Sequence, residues 1–187
     1  MDSNIEWYTN VPQTGQQRRG NGIRSAKWEP PPANWVKCNF DYSSRSDSME
    51  EGIGWIVRDH NGVFLGAGNA KIGKVQSSLI GEAMSFIFAL QQIWARGWRR
   101  VWFEGDNQEL CLIINQVKEH TDLGNYLCDI RHWMTLLPEC SLEYVNREKN
   151  QAADAMSRHS MDHNSLYQFF DFPPVWLIQY LYSPFTV

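Results

Sequence analysis

The spacing of apolar residues changes near Ser77-Ser78 from a period of two to a period near 3.6, and this change limits the folds open to the chain. Before Ser77 the first apolar residues alternate with polar ones, as in a half-buried strand: Val36, Cys38 and Phe40. After Ser78 they recur at helical spacing: Ile80, Ala83, Ile87, Leu90 and Trp94. The chain therefore contains both strands and helices, and the order of the remaining elements decides the fold class.

Further segments extend this pattern. GIGWIVRD and VFLGAGNAK flank Asn61-Gly62, a dipeptide favoured in two-residue hairpin turns, which predicts a meander of three antiparallel strands. RRVWFEGD reads as a fourth strand and SLEYVNRE as a fifth, with two helices between them and a last helix in NQAADAMSRH. Three strands, a helix, a strand, two helices, a strand and a helix predict an α/β domain with a mixed sheet covered by helices.

The length of 187 residues favours one domain with tails. Residues 1–27 are polar and without periodicity, which predicts a flexible arm with a basic stretch. Three consecutive prolines then lead into a domain expected at residues 28–160. The aromatic tail, residues 161–187, is expected to pack on the domain, and docking on a partner is the alternative.

Composition excludes several classes of protein. A formal net charge of −4 argues against a protein that grips nucleic acid by bulk charge. The four cysteines are widely spaced and form no CxxC pair, which favours reduced thiols over a disulfide framework. No secretory leader or transmembrane segment is evident, so we expect an intracellular monomer, in nucleus or cytoplasm, that does not bind membranes.

Four acids fall at the ends of the predicted elements, and each has an ordinary structural explanation. Asp41 can end a strand, and Glu82 can complement the positive start of a helix. Asp106, with Glu109 three residues later, can form a capping box. Asp154 can be an exposed acid in the last helix. Their joint occurrence needs a further explanation.

Five sequence blocks provide one: WEPPPANWVKCNFD, GIGWIVRDHNGVFLGAG, GEAMSFIFAL, VWFEGDNQEL and EYVNREKNQAADAMSR. In this order they resemble the ribonuclease H type 1 fold, most closely the reverse-transcriptase-like RNase H domain of retroelement origin that is abundant in plant genomes. The resemblance runs from about Trp28 to about His159. It implies an RNase H-like fold with a five-stranded mixed sheet, three antiparallel strands then two parallel, flanked by α-helices.

The resemblance also implies an activity, hydrolysis of the RNA strand of RNA/DNA hybrids with two Mg²⁺ ions, for which Mn²⁺ can substitute. Asp41, Glu82, Asp106 and Asp154 match its catalytic and metal-binding acids. Asp41 would be shared by both ions, with Glu82 and Asp106 on the ion that activates water and Asp154 on the other. Carboxylates suit this task because Mg²⁺ prefers oxygen ligands.

Nucleic-acid contacts are expected around these acids, since RNA is distinguished from DNA by its 2′-hydroxyls. The candidate contact residues are Tyr42, Ser43, Ser44, Ser77, Ser78, Arg147 and Asn150.

The chain departs from the family pattern at three places. Tyr42 stands where glycine is common after the first aspartate, so its ring either blocks the nucleic acid or stacks on it. The short VNREKNQAAD segment lacks the histidine loop of bacterial enzymes, which predicts a lower rate. KEHTDLGNYL leaves no room for their basic protrusion, which predicts weak affinity.

Two interpretations therefore stay open, an endonuclease and a weakly active or inactive interaction module for nucleic acid or protein. A proofreading-type exonuclease would need an acid at Ser43, and an integrase would need glutamate at Asp154. His159 and His163 have the spacing of a zinc pair but no evident third ligand, so a solvated helix end is the simpler explanation.

Overall fold

The computed structural model describes residues 27–46 and 49–182, so the predicted arm lies outside the described residues except for Lys27. The strands are β1 Val36–Ser43, β2 Glu50–Asp59, β3 Phe64–Gly73, β4 Arg100–Gly105, β5 Glu139–Tyr144 and β6 Tyr167–Phe170. The α-helices are α1 Ser78–Ala95, α2 Gln108–Asn115, α3 Gly124–Thr135, α4 Gln151–Met161 and α5 Ile178–Leu181.

The six strands in the described part of the chain form one mixed sheet in the order β5-β4-β1-β2-β3-β6. β1, β2 and β3 form the antiparallel meander, and β4 and β5 lie parallel to β1. The predicted α/β fold is therefore confirmed, with one correction to the strand count. The extra strand, β6, pairs antiparallel with β3 and comes from the tail, where four residues are too few to display a period of two.

The hairpin between β2 and β3 is present, but its turn differs from the predicted two-residue type. The carboxylate of Asp59 accepts hydrogen bonds from the backbone N–H groups of Asn61 and Val63, both at 2.8 Å. Of the two turn residues only Gly62 has positive φ, +78°. A longer loop with glycine in the left-handed position fits this geometry, because an aspartate at its start can tie the backbone.

The sheet separates two layers of helices. On one face Phe40 stacks on Phe86 of α1 with ring centroids 4.8 Å apart, in a core that also includes residues of α2 and α3. On the other face α4 lies directly against β2, where a Cβ on Gly54 would come within 2.3 Å of the backbone nitrogen of Ser157. Because successive strand residues face opposite sides, Asp41 of β1 points towards α4.

The C-terminal segment contacts the α4 layer. Leu177 is fully buried in a second apolar cluster with Ile56 and Met156, and Trp176 stacks on His159 with ring centroids 4.0 Å apart. The division of the chain into arm, domain and tail stays a prediction. No helix among the described residues has the length and apolarity needed to cross a membrane.

Candidate active site

Three carboxylates from separate parts of the chain meet at one point of the sheet. Asp41 lies in β1, Glu82 in the second turn of α1, and Asp106 directly after β4. Their oxygens lie within 4.8 Å of one another. They form the only group of three or more potential metal ligands found within residues 27–46 and 49–182. We call this group the carboxylate cluster.

The fold holds Asp41 through its side chain and its backbone. The hydroxyl of Ser157, on α4, donates a hydrogen bond of 2.6 Å to Oδ2 of Asp41, and the Ser43 hydroxyl lies 3.4 Å from the same oxygen. The hydroxyl of Ser85, on α1, donates to the Asp41 carbonyl at 2.8 Å. Helices on both faces of the sheet therefore fix this residue.

Asp106 does not cap the helix that follows it, so the predicted capping box is wrong. Asn107 is the cap, and its side chain accepts a hydrogen bond from the backbone N–H of Leu110 at 2.9 Å. The capping position is one residue later than predicted because β4 continues to Gly105 and leaves Asp106 in the connection. The Asp106 side chain therefore joins the carboxylate cluster and does not cap the start of α2.

Burial and mutual repulsion favour the protonated forms of these acids. Burial is the main cause that raises the pKa of Asp41, to about 8, and the charges of Asp106 and Asp154 add to it, while the Ser157 hydrogen bond opposes it. Burial and then the charge of Asp41 raise the pKa of Glu82. The pKa of Asp106 is also raised, chiefly by burial. A cation at this point would relieve both effects.

The carboxylate cluster fits a divalent metal by its chemistry. All three residues offer hard oxygen ligands, as Mg²⁺ requires. Oε2 of Glu82 is buried and has no hydrogen-bond partner among the described residues, which leaves it available to an ion. The oxygens of the three residues lie within 4.8 Å of one another, close enough for them to share a divalent-metal site.

Asp154, the fourth predicted acid, is outside the carboxylate cluster. Its Oδ1 forms ion pairs with Arg158 at 3.0 Å and with Arg147 at 3.4 Å. Its charge nevertheless raises the pKa values of Asp41 and Asp106, so it lies close enough to act on them electrostatically. Two arginines hold this carboxylate at the border of the site.

A groove with a volume of about 720 Å³ opens over the carboxylate cluster. Its lining residues are Asp41, Tyr42, Ser43, Ser44, Arg45, Ser78, Glu82, Asp106, Asn107, Tyr144, Arg147, Arg158 and Met161. Five of the predicted nucleic-acid contacts, Tyr42, Ser43, Ser44, Ser78 and Arg147, are thus brought together here. The arginines supply cations that a phosphate chain can contact.

Two other predicted contacts are placed differently. Asn150 is fully buried, and its side chain donates to the Phe40 carbonyl at 2.9 Å, so it does not line the groove, and its assignment as a nucleic-acid contact stays a prediction. A buried amide of this kind forms its hydrogen bonds with other groups of the protein. Ser77 is the cap of α1 and accepts a hydrogen bond from the Ile80 N–H at 3.3 Å, and it does not line the groove.

Tyr42 lies flat against the first turns of α1. A Cβ on Gly81 would come within 2.4 Å of its ring, so the missing side chain of Gly81 makes room for the tyrosine. Burial, together with a hydrogen bond to Glu51, raises the pKa of the Tyr42 phenol to about 12. The backbone N–H of Tyr42 donates to Glu82. Tyr42 therefore forms part of the groove wall beside the carboxylate cluster.

Sequence reasoning missed Ser157 and Arg158. Both stand within one turn of Asp154 on α4, where they share a helix face with it, so spacing from Asp154 offered the only signal. The contact of Ser157 with Asp41 spans 116 positions and depends on how α4 docks on the sheet. The histidine pair is also adjacent in space, with Nε2 atoms of His159 and His163 2.6 Å apart, but it belongs to no group of three ligands among the described residues.

Comparisons with known proteins agree on one family and one fold. A family model described as "Reverse transcriptase-like" matches residues 39–160. RNase H1 from Halobacterium salinarum is similar in structure, with a TM-score of 0.64 and 24% identity over 68% of this chain and 98% of that one. No curated protein sequence matches this chain significantly.

Two further solved structures resemble the chain to a similar degree. The compost-derived LC11-RNase H1, in complex with an RNA/DNA hybrid, matches with a TM-score of 0.62 and 22% identity over 68% of this chain and 96% of that one. The N-terminal RNase H domain of a Mycobacterium tuberculosis protein, solved as a fusion with maltose-binding protein, has a TM-score of 0.61 and 20% identity, over 68% and 94% of the two chains. These likenesses establish the fold.

Proposed function

Because this chain belongs to the reverse transcriptase-like family and has an RNase H fold, we propose that it is a metal-dependent endoribonuclease that hydrolyses the RNA strand of RNA/DNA hybrids. The solved relative with a bound RNA/DNA hybrid supports this choice of substrate. In this proposal the chain works as a monomer in nucleus or cytoplasm.

One observation carries the proposal: three acids from β1, α1 and the end of β4 place their oxygens within 4.8 Å of one another. Gathering buried carboxylates costs free energy, as the raised pKa values of Asp41 and Glu82 indicate. The unpartnered Oε2 of Glu82 adds to this cost. A bound cation offsets both costs, and a purely structural role for the cluster does not.

Asp41, Glu82 and Asp106 would hold the ions, with Asp154 completing the set once it leaves its arginines. Mg²⁺ held by these residues would supply an activated water and would stabilise the departing 3′ oxygen. Ser157 keeps the Asp41 carboxylate in one orientation through its 2.6 Å hydrogen bond. Arg147 and Arg158, in the wall of the groove, would contact the phosphates that flank the cut.

The groove also offers hydroxyl groups that suit an RNA strand. Ser44 and Ser78 line it and are exposed, so they can exchange hydrogen bonds with 2′-hydroxyls. Ser43 is nearly buried and lies 2.7 Å from the Ser157 hydroxyl, so we assign it to the support of Asp41 instead of to the substrate.

The decisive experiment is cleavage of an end-labelled RNA/DNA hybrid in Mg²⁺ and, separately, in Mn²⁺, with an RNA duplex and a DNA duplex as controls. Asp106→Asn removes one ligand, and Asp129→Asn, an exposed aspartate on α3, is the matched control. Metal-dependent cuts in the RNA strand should occur with the native chain and Asp129→Asn and disappear with Asp106→Asn. Cuts that persist in Asp106→Asn would contradict the assigned site.

The second candidate is an interaction module with little or no catalysis. The ion pairs of Asp154 with Arg147 and Arg158 favour it, because a neutralised fourth acid is less available to a metal. Tight binding of the hybrid with no cuts in either metal would support this module and argue against the nuclease.

A further inference from the structure

A second cavity lies at the start of α4, away from the carboxylate cluster, and has a volume of about 600 Å³. It shares no lining residue with the groove over the cluster. The residues that give it its character are Trp28, Arg58, Lys149, Gln151, Tyr180 and Tyr182. We call it the Arg58 cavity. Neither the nuclease nor the interaction module makes use of it.

Arg58 is a buried cation without a carboxylate of its own. Only 2% of the residue is exposed, and its guanidinium donates to the neutral side chain of Asn39 at 3.2 Å. The nearby acid Glu104 is engaged by Lys37 at 2.5 Å. Among the described residues Nε of Arg58 has no hydrogen-bond partner. Burial lowers the pKa of Arg58 to about 9, as expected for a charge taken out of water.

The aromatic ring of Trp28 compensates Arg58 only in part. It lies 3.7 Å from the guanidinium carbon and offers the face of its π system. Such a contact stabilises a cation but accepts no hydrogen bond in the plane of the guanidinium. A buried charge is normally paired, so an anion in the Arg58 cavity would complete the surroundings of this residue.

The start of α4 supplies a second, independent attraction for an anion. Gln151 and Ala152, its first two residues, line the cavity, and α4 is 11 residues long. The preceding Asn150 makes no side-chain cap, and its Oδ1 accepts a hydrogen bond from the Asn39 side chain at 3.2 Å instead. The first N–H groups of a helix carry partial positive charge, and phosphate groups bind there in many proteins.

The walls of the cavity are aromatic and carry charges of both signs, since Glu148 lines it beside Lys149. Tyr180 and Tyr182, from the C-terminal segment, line the cavity, and 40% and 53% of their surfaces are exposed. Lys149 lies beside the helix start and pairs with Glu29 at 2.6 Å. An aromatic wall next to an anion site matches a ligand that carries both a phosphate and a planar ring.

We propose that the Arg58 cavity binds a nucleotide, with its phosphate between Arg58 and the start of α4 and its base against Tyr180 or Tyr182. A volume of about 600 Å³ lies within the range of small-molecule sites. The same chemistry is available from a free mononucleotide or from the 5′-phosphorylated end of a strand. This site is independent of the carboxylate cluster and needs no divalent metal.

The test is to titrate the full chain with AMP, adenosine and inorganic phosphate and to measure binding by calorimetry and protein NMR. EDTA is present throughout, so that no metal-bridged nucleotide can bind at the carboxylate cluster. We expect AMP to bind, inorganic phosphate to compete with it, and adenosine to bind at least about tenfold more weakly. Equal binding of AMP and adenosine, or no binding of AMP at millimolar concentration, would overturn the proposal.

Two variants locate the binding. Lys149→Gln should weaken AMP binding about fivefold or more. Arg131→Gln, which alters a partly exposed, ion-paired arginine on α3, should not. Tyr182→Ala should weaken AMP but not inorganic phosphate, while Phe172→Ala, at a residue that is 83% exposed, should change neither. Equal effects of each variant and its control would place the ligand elsewhere and refute the site.

The two sources of the nucleotide are separated by comparing AMP with a 5′-phosphorylated dinucleotide in the same titration. Binding at least tenfold tighter for the dinucleotide identifies a strand end, and equal or weaker binding identifies a free nucleotide. Both outcomes support nucleotide binding in the Arg58 cavity. Nucleotide binding is measured in EDTA and cleavage is measured with metal, so the two proposals can fail separately. A chain that does not cut hybrids can still bind AMP, and a chain that cuts hybrids can fail to bind AMP.

Discussion

The ring of Tyr42 lies so close to Gly81 that a single methyl group added to Gly81 would come within 2.4 Å of it. Tyr42 follows Asp41 directly, and Gly81 precedes Glu82. The contact therefore joins the two segments that carry two of the three clustered acids. A change at either residue should be transmitted to the spacing of those carboxylates.

Gly81→Ala should lower the free energy of unfolding by about 1 to 3 kcal/mol in the native chain, because the new methyl overpacks against the ring. In a Tyr42→Ala background the same change should be neutral or stabilise the chain by up to about 1 kcal/mol, since alanine is the better helix former. Urea unfolding of the four proteins in this double-mutant cycle measures both effects. Equal costs in the two backgrounds would contradict the contact.

Ser157→Ala should slow metal-dependent cleavage about tenfold while the fold persists. The change removes the 2.6 Å hydrogen bond that orients Asp41, and a hydrogen bond to a charged group contributes about 1.5 to 3 kcal/mol. Ser160→Ala, one turn along α4, is the control, because its hydroxyl donates to the Ser157 carbonyl and not to Asp41. Cleavage at graded Mg²⁺ concentrations gives the readout, and equal rates for the two variants would exclude a role in positioning Asp41.

Asp154→Asn should reduce cleavage much less than Asp106→Asn. Asp106 lies inside the carboxylate cluster, so its loss should cost roughly 1000-fold, the several kcal/mol expected from a metal ligand. Asp154 is held by two arginines outside the cluster, and we expect a loss of about tenfold. Single-turnover rates on the hybrid compare them, and a loss for Asp154→Asn as large as that for Asp106→Asn would show that Asp154 moves fully into the site.

Metal-free protein should lose stability as the pH rises from about 4 towards about 8. The folded chain raises the pKa of Asp41 from 3.8 to about 8, so in this window it binds a proton that the unfolded chain releases. The raised pKa values of Glu82 and Asp106 act in the same direction. Urea unfolding in EDTA at about pH 5 and pH 8 measures the slope.

Asp41→Asn is the control for this pH dependence, and its slope should be shallower than that of the native chain. Added Mg²⁺ should stabilise the native chain more at the higher pH, because the ion binds the ionised carboxylates. A slope that is the same in both proteins would show that Asp41 does not titrate in this window.

Leu177→Ala should lower the free energy of unfolding by about 2 to 4 kcal/mol, because Leu177 is fully buried against residues of β2 and α4. Ile178→Ala changes the neighbouring residue, which is 41% exposed, and should cost less than about 1 kcal/mol. Equal effects in urea unfolding would show that the C-terminal segment does not share the stability of the domain.

The parts of the fold and site that depend on local patterns could be predicted from the sequence. The alternation in β1 and the helical spacing in α1 identified both elements. The order of the sequence blocks pointed to four acids, Asp41, Glu82, Asp106 and Asp154, and the first three lie together. Local patterns did not decide which of two neighbouring residues caps a helix. Asp106 and Asn107 are both good helix caps, and only the end of β4 decides between them.

Contacts between distant residues could not be predicted from local patterns. The hydrogen bond of Ser157 to Asp41 depends on the close approach of α4 to Gly54, and the ion pairs of Asp154 depend on the position of Arg147 before that helix. The burial of Asn150 has the same origin, since its side chain reaches a carbonyl of β1. Such features are set by tertiary packing, which overrides local preference.

The position of β6 has a consequence for any shortened form of this protein. β3 would be the last strand of the meander, and β6 occupies its outer side by pairing Ala67 with Phe170 and Ala70 with Tyr167. A fragment that ended with α4 would leave the backbone groups of β3 unpaired beside exposed apolar side chains. The unpaired edge of a sheet can pair with a strand of another chain, so we expect a form without β6 to aggregate more readily than the full chain.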